Sequence, residues 1–197
     1  RLTGAFKPID NPLGKPDQPG EALAANAVLM NFFLVAGYFL DGFATAAEQL
    51  AGRAVGARAP ASFRRAVTLT LWWGFCLAGL ASTVLLAFGD GLVAVITTAP
   101  EVRAAAAAYL PWAALTALSG VLAFEMDGVF IGATWSRDMR NMMLVSLAAY
   151  LGSWWVLERA FGVAGLWMAL LVFLAVRGLT LVWRARVRIG PEFGEAR

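Results

Sequence analysis

Residues 120–134 read GVLAFEMDGVFIGAT. Glu125 and Asp127 sit inside an otherwise apolar run, and no Lys, Arg or His interrupts the chain between Ala104 and Ser136. An acid in such a place costs several kcal/mol unless it is neutralised, paired or watered. The run is long enough to cross a hydrocarbon core of about 30 Å as a helix, which needs about 20 apolar residues. This stretch therefore reads as a membrane-spanning helix that carries two acids at depth.

The rest of the chain agrees with that reading. Of its 197 residues, 60% are hydrophobic and 15% charged, and the mean hydropathy is +0.68. Ordinary soluble domains are about 45–50% apolar and about 25% charged. A single cysteine, Cys76, leaves no intrachain disulfide to form, and the absence of histidine removes the commonest metal ligand and the commonest acid-base catalyst. No metal site or cofactor is expected. Ser119 and Ser146 have no identifiable base, so an enzyme is the poorest reading. The pI near 9.5 raises nucleic acid as a partner. The arginines, however, lie at the ends of apolar spans rather than in a basic stripe. The partner they imply is the lipid bilayer.

Five apolar runs predict an all-α, polytopic bundle with five spans at about 23–50, 66–88, 104–134, 140–157 and 162–184. Their length and continuity exclude a barrel, whose strands alternate. Residues 1–21 hold half of the chain's prolines and read as a non-membrane tail without the apolar core of a signal peptide. The bundle covers 22–188, and 189–197 form a C-terminal tail. Arg53, Arg58, Arg64 and Arg65 follow the first span, Arg137 and Arg140 follow the third, and Arg184, Arg186 and Arg188 follow the fifth. The positive-inside rule makes these three segments cytoplasmic, so the N-terminus is outside and the C-terminus inside the cell (inner) membrane. An odd number of spans, beginning in a Pro-rich segment without an initiating Met, points to a piece of a longer chain.

Two stretches carry a resemblance. LAANAVLMNFFLVAGYFLDGFATAAEQLAGRAVGAR (23–58) and YLPWAALTALSGVLAFEMDGVFIGATWSRDMRN (109–141) resemble the C-terminal lobe of the multidrug and toxic compound extrusion (MATE) family, in its DinF-like branch. The resemblance covers residues 22 to about 188. It implies one lobe of a two-lobed, twelve-helix antiporter, with the five spans standing for the eighth to twelfth helices and the lobe lacking its first. It implies export of small organic, often cationic, molecules driven by inward H+ or Na+, with the N-terminal lobe of the same transporter as partner. The alternative is a truncated or remnant half-transporter with only a structural role.

The candidate site residues follow from depth and helical spacing. Asp41, Thr45 and Glu48 share one stripe at i, i+4 and i+7. Asp41 is deep enough to be an ion- or proton-coupling acid, whereas Glu48 reads either as a cavity acid or as a solvated one near the cytoplasmic end. Glu125 and Asp127 are offset by about 200°, so they cannot face one cavity. The family resemblance sends Asp127 toward the central cleft, as a coupling ligand or a structural acceptor, and leaves Glu125 with Gly128 and Gly132 on a packing face. Arg177 either snorkels to the interface or pairs with Glu125 or Glu48. Gly52 and Gly56, like Gly128 and Gly132, have the small-xxx-small spacing of close helix contacts. Pro111 is placed to bend the third span. Trp72, Trp73, Trp154 and Trp155 read as interfacial or lipid-facing, with a cavity role as the sharper alternative, and Asn26 and Asn31 as interhelical hydrogen-bonders.

Overall fold

The computed structural model describes residues 19–194. The expected all-helical bundle is found as five helices: α1 (Pro19–Gly56), α2 (Pro60–Ile96), α3 (Pro100–Gly132), α4 (Ser136–Phe161) and α5 (Val163–Glu192). Of the tail predicted over residues 1–21, residues 1–18 lie outside the described residues, and 19–21 belong instead to the first turn of α1. Prolines open α2 and α3, where a missing N–H costs nothing. The connections are so short that consecutive helices run antiparallel. Gly162 alone joins α4 to α5, and its φ of 58° is a left-handed conformation that glycine adopts without strain.

The helices outrun the apolar spans at almost every end. At about 1.5 Å per residue, the 37 residues of α2 reach about 55 Å, well beyond the hydrocarbon core. Hydropathy marks only the lipid-immersed part of each helix. Arginine is a good helix former, so the backbone stays helical past it, and α5 continues through the stretch read as tail as far as Glu192.

The five helices differ in how strongly they read as spans. Among the described residues, four helices are long and apolar enough to cross a membrane by length and composition: residues Leu23–Gly56 of α1, then α2, α3 and α5. At 26 residues α4 has the length, but Ser146, Tyr150, Gly152, Ser153, Trp154 and Trp155 dilute its apolar run below that level.

Helix α3 is the centre, packed against α1, α2 and α5, while α4 lies mainly on α5. It is apolar on every side and rich in alanine and glycine at its contacts, so neighbouring backbones come close. Pro111 lies inside α3 on an exposed position, and the helix continues through it without a break. At one end of the bundle Leu29, Val93, Tyr109 and Trp167 form a core; at the other, Phe63, Phe130, Trp135 and Leu181 do. The outer faces are apolar too: Trp72, Trp73, Leu80, Phe88 and Val95 of α2 are all more than half exposed. An apolar surface this extensive suits lipid and not water.

Candidate functional site

The site forms where α3, α4 and α5 meet. Gly178 lies on the α3 backbone at Leu122 and Ala123; a Cβ there would come within 3.0 Å of the Ala123 nitrogen. This close approach brings the preceding residue, Arg177, to Asp127 of α3. Arg177 Nε donates to Asp127 Oδ2 at 3.0 Å and Nη2 donates to Oδ1 at 2.6 Å. The two-point fork is the geometry a guanidinium makes with a carboxylate and an ammonium cannot. Nη1 reaches the Met143 sulfur of α4 at 2.9 Å. The Arg177 side chain is 8% exposed and that of Asp127 27%, so the acid keeps an open side while its partner is covered.

Arg177 therefore engages neither Glu125 nor Glu48, the partners its depth suggested. The 200° offset along α3 explains the correction: α5 packs on the Asp127 side, and Glu125 points to α2. Glu125 is fully buried, with Oε1 3.0 Å from where a Cβ of Gly74 would stand.

Helix α1 covers a third side of α3. Gly128 sits against the Ala44 carbonyl and Gly132 against the Glu48 carbonyl, each so closely that a Cβ would collide with it. Gly52 faces the Gly132 carbonyl, 3.1 Å from its own Cβ position. Gly56 packs on nothing, contrary to its assignment as a contact residue, because α3 ends at Gly132 and offers no backbone one turn further on. Asp41 is exposed on α1, and Glu48 is half-buried. The Thr45 hydroxyl donates to the Asp41 backbone carbonyl at 2.8 Å, not to its carboxylate. The α1 stripe is thus separate from the Asp127–Arg177 pair.

Trp72, Trp73, Trp154 and Trp155 all lie on the outer surface, and the Arg159 guanidinium stands 3.9 Å over the Trp155 ring. Trp167 Nε1 donates to Asn26 Oδ1 at 3.0 Å and ties α5 to α1. Asn31 instead donates to the Ala27 carbonyl of its own helix.

A second charged cluster was missed in the sequence. Asp138, in the first turn of α4 and 6% exposed at its side chain, accepts from Arg184 Nε at 2.7 Å and Arg188 Nε at 2.6 Å. Nearby, Trp135 Nε1 donates to Glu192 at 3.0 Å. Burial pushes the Asp138 carboxyl up, but the hydrogen bonds and charges of Arg188 and Arg184 outweigh it and hold the group below the usual carboxylate range. The available signal was the i, i+4 spacing of Arg184 and Arg188, which aims two cations at one point.

Long apolar helices, an apolar exterior and an ion pair at depth define a multi-pass membrane helix bundle. The chain belongs to the MatE family, which matches residues 17–152 and so includes Asp127 but not Arg177. It is 38% identical over 180 residues to DNA damage-inducible protein F of Escherichia coli (strain K12), covering 88% of this chain and 38% of the relative. It is 29% identical over 178 residues to Protein DETOXIFICATION 42 of Arabidopsis thaliana, covering 86% and 33%. It is also 29% identical over 139 residues to the probable multidrug resistance protein NorM of Rhodopseudomonas palustris, covering 70% and 29%. The chain thus spans well under half the length of the relatives it matches.

Proposed function

We propose that the chain is the C-terminal lobe of a cation-coupled exporter of small organic molecules, working against an N-terminal lobe in the cell membrane. Family membership and the names of the relatives, one of multidrug resistance and one of detoxification, support the class. The observation that carries the mechanism is the Asp127–Arg177 fork, buried on the arginine side and open on the acid side. Intramembrane acids of this kind mark ion and substrate pathways. Arg177 supplies the positive charge that Asp127 needs when it holds no other cation. Loading Asp127 with H+ or Na+ weakens the fork, so cation binding is linked to how tightly α5 and α4 stay on α3. Such a link between an intramembrane ion site and helix packing is what alternating access requires. The C-terminal arginines support an orientation with the C-terminus in the cytoplasm and the start of α1 outside.

The experiment is expression in a drug-sensitive bacterial strain. The chain alone should give no resistance, and the chain together with a matching N-terminal lobe should restore it. Failure of every such pairing, with both lobes folded in the membrane, overturns the proposal.

A further inference from the structure

Among the described residues, Glu125 is the only carboxyl that is fully buried and has no hydrogen-bond partner on either oxygen. Its place is built by α2: Gly74 removes the side chain that would block Oε1, and Val121, one turn earlier on α3, closes the same gap. The Thr70 hydroxyl beside it can donate to the carboxyl, and in this structure it donates to the Val67 carbonyl at 3.2 Å.

No cation faces it. The buried stripe of α2 holds Thr70, Gly74 and Ala78, with no ionisable group, and Arg64 and Arg65 are exposed at the start of that helix. Helix α1 offers the acids Asp41 and Glu48, whose like charge opposes a second negative charge, and its Arg53 is exposed in the last turn. Helix α5 offers Arg177, which is committed to Asp127, and α4 barely touches α3. An ionised carboxylate there has no counter-charge and only the Thr70 hydroxyl near enough to donate, and a group so placed stays neutral rather than bear its desolvation.

We propose that Glu125 is a proton-binding site, a carboxylic acid that keeps its proton while α2 and α3 are packed and yields it to water only when that seam opens. The site is separate from Asp127, which points the other way from α3 and meets its charge with arginine. The α2–α3 pair alone builds this site, whichever ion or substrate is transported.

Infrared spectroscopy of the purified protein in zwitterionic lipid nanodiscs tests it. At neutral pH the wild-type protein should show a carboxylic-acid C=O stretch that shifts on 13C-glutamate labelling but not on 13C-aspartate labelling. The band should persist in Glu48→Gln and vanish in Glu125→Gln. In deuterated buffer its shift should follow the slow amide exchange of α2. If Glu125→Gln does not fold, the isotope-edited wild-type and Glu48→Gln spectra decide. No glutamic-acid band in folded wild-type protein, its loss in Glu48→Gln, its survival in Glu125→Gln, or an immediate deuterium shift overturns the inference.

Discussion

Arg177 grips Asp127 through two hydrogen bonds of 2.6 and 3.0 Å, one residue from the point where Gly178 lies on the α3 backbone. The fork and the close approach are one construction: the glycine sets the distance between α5 and α3, and the arginine converts it into an ion pair.

Removing the arginine should leave a carboxylate with no counter-charge. Arg177→Met is expected to destabilise the protein by about 3 kcal/mol, the scale for breaking a buried pair from one side. Asp127→Asn in the same background should recover part of that loss, because the stranded charge is then gone. Arg177→Lys should rescue incompletely, since an ammonium cannot donate in a fork. Denaturant unfolding in detergent, arranged as a double-mutant cycle, reads the coupling, and strict additivity would disprove the pair.

The glycine should matter as much as the charge. Gly178→Val drives a side chain into Leu122 and Ala123 and is expected to cost about 1–3 kcal/mol, the scale of overpacking. Gly56→Ala meets open space and should change stability by less than about 1 kcal/mol, helix propensity being the only effect left. Equal losses at both sites would show that α5 is not held where described.

Asp138 should give the protein an acid-sensitive clasp. Its carboxyl is lower in the folded state than the ordinary value of about 3.9, so its contribution is fully present above that pH and is lost as pH falls through the lowered value. Asp138→Asn should remove about 2 kcal/mol near neutral pH, the scale of hydrogen bonds to charged groups. It should also flatten the acid limb of the stability profile. Thermal unfolding across acidic pH measures both, and an unchanged limb would contradict the assignment.

The fold was legible because apolar runs of membrane length leave few alternatives, and all five helices were found that way. Their ends were not legible, since hydropathy reports where lipid begins and not where a helix stops. Within the site, helical geometry separated Glu125 from Asp127, yet it could not say which neighbour packs on which side. That depends on Gly178 and Gly74, whose roles appear only when the helices are assembled. Asp138 was overlooked because a charged residue beside a loop looks solvated, and only the return of α5 buries it.

Helix α4 makes topology a sharp question. In a Cys76→Ala background, single cysteines at Arg58→Cys and Arg186→Cys should be labelled from the cytoplasm, and Asp90→Cys from outside. All three positions are exposed. If α4 did not cross, positions 58 and 186 would be labelled from opposite sides.

The most direct test of the central claim compares Asp127→Asn with wild type in the assembled two-lobe exporter, reconstituted in proteoliposomes under an imposed H+ or Na+ gradient. Asparagine keeps the shape and can still accept a hydrogen bond, but it cannot carry the charge. Gradient-driven export per folded molecule should fall at least tenfold, about 1.4 kcal/mol or more in coupling. Export at the wild-type rate from correctly folded Asp127→Asn protein would contradict the account and move the coupling acid out of this lobe.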